Sequence, residues 1–278
     1  MLVLALVAVW SSSPALAVPY ATDLQYTGGT VSFRLNEPAD QVQIVWAGGT
    51  KTSDLGPLPK GLFSAPMELT KPFQVVVRRS APGGWVQTSD DANTLVNFNR
   101  PRGLAVNRNP ASPYFGRVYV SNSGAGTAAG RSLGDGIYLL NSDQSDAVGQ
   151  GDTALTGGLD FSASMAASPY RLTVGEDDNL YICDWADASG GLLVTDANVS
   201  PGSGRAVLKP LVPGTTAAVP LGLDNTHGSI AAAVVLGSLA GGNLTVYVID
   251  EDLQTDRTAT ASTEMNSLWR FDVGAGPL

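Results

Sequence analysis

One strand phrase recurs along the C-terminal two thirds of this chain, and it constrains the fold more than any single residue does. The first copy reads Gly103-Leu-Ala-Val-Asn107, then Gly116-Arg-Val-Tyr-Val-Ser-Asn122, then Asp135-Gly-Ile-Tyr-Leu-Leu-Asn-Ser-Asp143. The second reads Arg171-Leu-Thr-Val-Gly175, then Asn179-Leu-Tyr-Ile-Cys-Asp-Trp185, then Gly190-Gly-Leu-Leu-Val-Thr-Asp196. A looser third has Asn243-Leu-Thr-Val-Tyr-Val-Ile-Asp250 and Ser267-Leu-Trp-Arg-Phe-Asp272. Short apolar runs repeated between turn residues demand one supersecondary unit per copy, stacked to bury what a single unit leaves bare.

Composition agrees with short strands. The chain has 32 Gly and 17 Pro against 15% charged residues, and no long stretch joins helical periodicity to capping signals. The expected class is all-β. A net charge of −9 argues against nucleic acid, because phosphate binding needs clustered Lys and Arg. Residues 1–17 read as an export leader: Leu2 to Trp10 are apolar, and Ala15-Leu-Ala17 is a small-x-small cleavage pattern. The leader is too short to span a bilayer, and no later segment resembles a membrane span. With Cys183 alone, no intrachain disulfide forms, and Cys183 reads as a small core residue.

Residues 20–98 have a different texture. Thr30-Val-Ser-Phe-Arg-Leu35 and Gln41-Val-Gln-Ile-Val-Trp46 alternate, with Glu37-Pro-Ala-Asp40 turning between them. Phe73-Gln-Val-Val-Val-Arg78 adds a strand, and Gly84-Trp-Val-Gln87 another. Period-two segments joined by turns predict a small β-sandwich. The phrase from Val31 to Ile44 resembles the opening of immunoglobulin-like modules of the flagellar-hook-capping type. Asp90 to Pro101 then forms a polar join.

From residue 101 to 278 each copy offers an inner strand, a longer second strand and a third. Thr153-Ala-Leu-Thr156 and Arg205-Ala-Val-Leu-Lys209 are candidate fourth strands. Four antiparallel strands per copy describe a propeller blade. Pro101-Arg-Gly-Leu-Ala-Val106 followed by Gly116-Arg-Val-Tyr-Val-Ser-Asn122 resembles the blade wording of the NHL and SMP-30/gluconolactonase-like propellers. The resemblance implies a partial propeller of about three blades. Ser123 to Ser132 and Asp146 to Ala167 are read as long loops. Three blades do not close a ring, so the remaining blades are expected on a longer chain, with self-assembly of open copies as the alternative.

Few residues offer catalysis. His227 is the only histidine, no Gly-x-Ser-x-Gly elbow occurs, and zinc sites of several His and Cys are excluded by count. Asn122, Asp184 and Asp250 end equivalent second strands, so their oxygens would lie near one face of a propeller and are the candidate ligands for a hard cation, Ca²⁺. The resemblance adds that SMP-30-like lactonases hold a divalent ion with Glu, Asn and Asp in the channel. Hydrogen bonding to turn amides is the commoner use of such residues. Trp185 and Trp269 could present flat surfaces to sugar rings, or pack between blades. The expected function is an exported, noncatalytic binding, adhesion or scaffolding protein, secreted or at the cell surface, with a protein or glycan ligand on a propeller face. The alternative is a Ca²⁺-dependent SMP-30-like hydrolase or lactonase.

Overall fold

Alternation along two central strands organises the N-terminal unit. The computed structural model describes residues 19–80, 87–161, 168–185, 191–208, 230–250 and 267–276, so the leader, Gly84 to Val86 and His227 lie outside the described residues. Backbone contacts divide the all-β chain into two units meeting between Thr88 and Ser89. In the first, β2 (Thr30–Leu35) runs between β1 (Ala21–Thr27) and β5 (Gly61–Pro66), and β3 (Ala39–Trp46) between β4 (Lys51–Leu58) and β6 (Phe73–Arg78). All pairings are antiparallel. Val31, Phe33 and Leu35 of β2 meet Ala39, Val42 and Ile44 of β3 in one apolar core. Every second residue of the central strands faces inward, whereas the edge strands β4 and β5 are half exposed. Polar Lys51 to Asp54 and the Gly56-Pro57 pair suit β4 to an edge.

Among the described residues, the second unit stacks three antiparallel sheets of three or four strands, beside one two-stranded hairpin. Sheet one holds β7 (Pro101–Val106), β8 (Val118–Asn122) and β11 (Gly136–Leu140), with an isolated bridge from Ile137 to Leu155 standing where a fourth strand would run. Sheet two is complete: β12 (Leu172–Val174), β13 (Leu180–Asp184), β14 (Gly191–Thr195) and β15 (Arg205–Leu208). Sheet three holds β16 (Ile230–Leu236), β17 (Leu244–Asp250) and β18 (Ser267–Gly274). Strand β16 supplies the inner strand that the third repeat lacks as a phrase.

Burial explains the continuous apolar runs of β13 and β14. Leu180, Ile182 and Leu193 face sheet one, packing on Tyr119, Ile137 and Leu139. Tyr181, Cys183, Leu192 and Val194 face sheet three, packing on Ile230, Val246 and Val248. A sheet covered on both sides has no solvent face to mark with polar residues.

The two ends of the stack differ. The outer face of sheet one is closed by a hairpin, β9 (Gly126–Ala128) with β10 (Arg131–Leu133), inside the stretch expected to be a plain loop. Leu133, Ala128 and Phe98 cover Val118, Val120 and Tyr138 there. Among the described residues, nothing covers the outer face of sheet three. Val234, Leu236, Ile249 and Leu268 are 59%, 48%, 48% and 70% exposed; the pairings Ala232 to Ile249 and Ile249 to Leu268 make an apolar strip, while Val234 and Leu236 adjoin Tyr247, Thr245 and the Arg270–Asp272 ion pair.

Cys183 sits in the core between sheets two and three. Burial, slightly countered by Arg171, pushes its thiol from 9.0 up to about 12. At pH 8 a small disulfide reagent is expected to leave the native protein unlabelled and to titrate one thiol after denaturation. Because the folded value is the raised one, the unfolded chain loses this proton first. Stability therefore falls as pH rises past about 9, and Cys183→Ala should flatten that decline in the urea midpoint. Rapid native labelling at pH 8 would refute the buried assignment.

Candidate functional site at the loop end

The strand directions give the second unit two unlike ends. Middle strands β8, β13 and β17 all finish at one end, with Asn122, Asp184 and Asp250 as their last residues. Register places the starts of β7, β11, β14, β16 and β18 beside those three residues. The connections 123–135, 185–190, 209–229 and 251–266 therefore begin and end here. This is the loop end.

The opposite end is stitched shut by short turns. Asn107 donates to Asp178 (2.8 Å), joining the turns of sheets one and two. Asp177 accepts from the Tyr181 hydroxyl (3.1 Å) and from the Leu239 amide (3.3 Å), joining sheets two and three. In the acidic run Glu176 to Asn179, a hairpin turn by its sequence, Asp177 and Asp178 are thus spent on structure.

At the loop end Asn122 is fully buried. Its Oδ1 accepts from the Arg100 amide (2.9 Å), and its Nδ2 donates to the carbonyls of Gly124 (2.8 Å) and Gly134 (2.9 Å). That pattern fixes both departing loops. Asp184 is also buried, and the side chain of Asp250 lies outside the described residues. Among the described residues, no group of three or more His, Cys, Asp or Glu gathers as a metal cluster would.

What the loop end does present is a cationic, aromatic cluster that no sequence motif marks. Arg102 opens β7, and Tyr170 and Arg171 lead into β12. The guanidinium carbons of Arg102 and Arg171 lie 5.9 and 5.6 Å from the centre of the Tyr170 ring. The Trp185 ring meets Tyr170 edge-on at 4.8 Å and 69°, so Trp185 joins this cluster at the end of β13. Trp269 packs instead against the core between sheets two and three.

Local bonding explains the placement. The Tyr170 amide donates to Cys183 O, and the Cys183 amide donates to Arg171 O, both at 2.8 Å, extending β12 alongside β13. Ser121 Oγ donates to Tyr170 O (2.6 Å), holding this corner on sheet one. Arg102 donates through Nε to Ser123 Oγ (3.2 Å). Arg100, Arg102 and Arg171 are exposed, Tyr170 and Trp185 half-buried, and none of the three arginines pairs with a described carboxylate. Nearby Asp135 is pushed up by burial, partly offset by the Ala125 backbone and Arg100. Chemically, the cluster offers planar hydrogen-bond donors beside flat apolar surface.

No family model matches the chain, and neither does any curated protein. Among solved structures, selenomethionine-substituted virginiamycin B lyase from Staphylococcus aureus aligns at 10% identity, over 90% of this chain and 69% of that one. The TM-score is 0.24, too low to carry an argument about fold or activity.

Proposed function

We propose that this chain is an exported, noncatalytic binding protein: a propeller-type stack of blades behind an immunoglobulin-like module, engaging a protein or glycan ligand at its loop end. The observation that supports this reading is the polarity of the stack. One end is consumed by Asp and Asn bonds between turns, while the other exposes Arg100, Arg102 and Arg171 beside Tyr170 and Trp185. Binding residues placed on loops over a rigid scaffold are the usual division of labour. In the same reading a further sheet of the same kind covers the bare face of β16 to β18, because both other sheet-to-sheet contacts of the stack are made that way.

The test is a binding assay of the full chain against immobilised extracellular glycans and matrix proteins. Trp185→Ala should abolish capture, and Glu176→Gln at the opposite end should leave it intact. Loss on Glu176→Gln with retention on Trp185→Ala would sink the assignment of the end. Millimolar Ca²⁺ should leave the melting temperature unchanged. A cation held at a hundred times its dissociation constant would add about 2.7 kcal/mol of stability, and a shift of that size would favour a calcium-dependent hydrolase instead.

A further inference from the structure

The geometry points to the Arg102–Tyr170–Arg171–Trp185 cluster as an oxyanion subsite that recognises an acidic glycan, one whose sugar rings carry carboxylate or sulfate. This inference rests on the loop end being the binding end, and it adds the ligand's chemistry.

Three observations converge on it. First, two guanidinium groups approach one ring from two different blades, 5.9 and 5.6 Å from its centre. Arginine forks match carboxylate and sulfate oxygens in pairs of parallel hydrogen bonds. Second, the cluster is anchored. Arg102 is tethered through Nε by Ser123, and the backbone pairing of Tyr170 and Arg171 with Cys183 fixes where the Arg171 side chain departs. A prearranged fork loses less freedom on binding than a loose one. Third, these cations stand without described ion pairs in a chain of net charge −9. Arginines not spent on a described carboxylate keep their guanidinium donors for a ligand. The described acidic side chains at this end include buried Asp184 and Asp135, near Arg100, while those of Asp187, Glu251 and Asp252 lie outside the described residues.

The aromatic pair selects a glycan over an acidic peptide. Tyr170 and Trp185 are both half-buried and meet edge to face, so their accessible parts offer a ligand an aromatic contact beside the guanidinium groups. A sugar acid offers both halves of the complement in one ring, a flat C–H surface and a carboxylate at its rim.

The experiment titrates the full chain with oligogalacturonate (carboxylate), a heparin oligosaccharide (sulfate), maltoheptaose (neutral) and poly-glutamate of matching charge. One or both acidic oligosaccharides should bind at least tenfold more tightly than maltoheptaose and poly-glutamate. Comparing the first two decides which oxyanion is preferred. The double variant Arg102→Gln/Arg171→Gln should lose tenfold or more, as removing charged hydrogen bonds does. Both positions are exposed, so an unchanged melting temperature verifies the fold. Single replacements by Lys should rescue only part, since a point charge does not reproduce the fork.

Acidic probes that fail to bind, or that bind the double variant equally well, would overturn the subsite. Equal affinity for poly-glutamate would overturn the choice of a glycan. Capture of maltoheptaose that depends on Trp185 and ignores both arginines would overturn the oxyanion and leave the loop end as the binding end.

Discussion

Gly103→Ala is expected to cost the second unit roughly 2–3 kcal/mol, a large effect for one added methyl group. A Cβ at this position would stand 2.5 Å from Tyr170 O, 2.9 Å from Leu172 N and 2.9 Å from Ser121 Oγ. Two of those three atoms are backbone, so no side chain can swing away to relieve the contact. The sheets carrying β7 and β12 must part, and the 2.6 Å bond from Ser121 Oγ to Tyr170 O goes with them. The cost is purely one of space, because Gly103 lies outside the left-handed region. Leu104→Ala is the control. That neighbouring side chain is 67% exposed, and its loss should stay within about 0.5 kcal/mol. Urea unfolding followed by tryptophan fluorescence reads both, and equal midpoints for the two variants would show that the sheets tolerate the extra atom. Gly103→Ala should also disturb the loop-end cluster, since Tyr170 is its centre.

Arg131→Met is expected to cost about 2 kcal/mol by removing a buried donor from four partly buried carbonyls. Arg131 is only 4% exposed. Its guanidinium donates to the carbonyls of Leu95 (2.8 Å), Thr94 (3.3 Å), Asn97 (3.4 Å) and Gly151 (2.7 Å), and pairs with Asp152 at 2.7 Å. It also lies over the rings of Tyr138 (4.9 Å) and Phe98 (5.5 Å). Asp152 is largely solvated, so the ion pair itself contributes little. The carbonyls decide the outcome. Met keeps the bulk and the apolar stem while removing every donor. Arg131→Lys should recover less than half, because one ammonium cannot reach carbonyls on both sides at once. Limited proteolysis between residues 89 and 100 should accelerate in step with the lost stability. Unchanged protection in Arg131→Met would show that the hairpin seats without its arginine.

The elements legible from sequence are those whose apolar residues do the folding. Strands β8, β11, β13 and β14 are compact apolar runs between turn residues, and both their faces are buried. The alternation of β2 and β3 was equally plain. Strand β16, Ile230-Ala-Ala-Ala-Val-Val-Leu236, was passed over because alanine carries no strand preference, and its pairing with β17 supplies what propensity does not. The β9–β10 hairpin is written in Gly, Ala, Ser and Thr with three residues per strand. Its order comes from Arg131 reaching residues more than thirty positions away, which no local pattern encodes. At the loop end, sequence equivalence singled out Asn122, Asp184 and Asp250 as strand-terminal residues, and they are. Arg102 and Arg171 were invisible as a pair, since isolated exposed arginines are ordinary. The only available signal was their shared position at the entrance to a first strand.

The hairpin that seals sheet one also governs how copies of the protein can meet. Linear polymers grow when a sticky surface on one molecule finds its complement on the far side of the next. Among the described residues, the corresponding face of sheet one offers no such complement to sheet three, because Phe98, Leu133 and Ala128 already occupy it. Two molecules can still press their bare faces together, but that contact uses up the adhesive surface of both. A head-to-tail contact through these two faces therefore has no apolar partner surface to grow on.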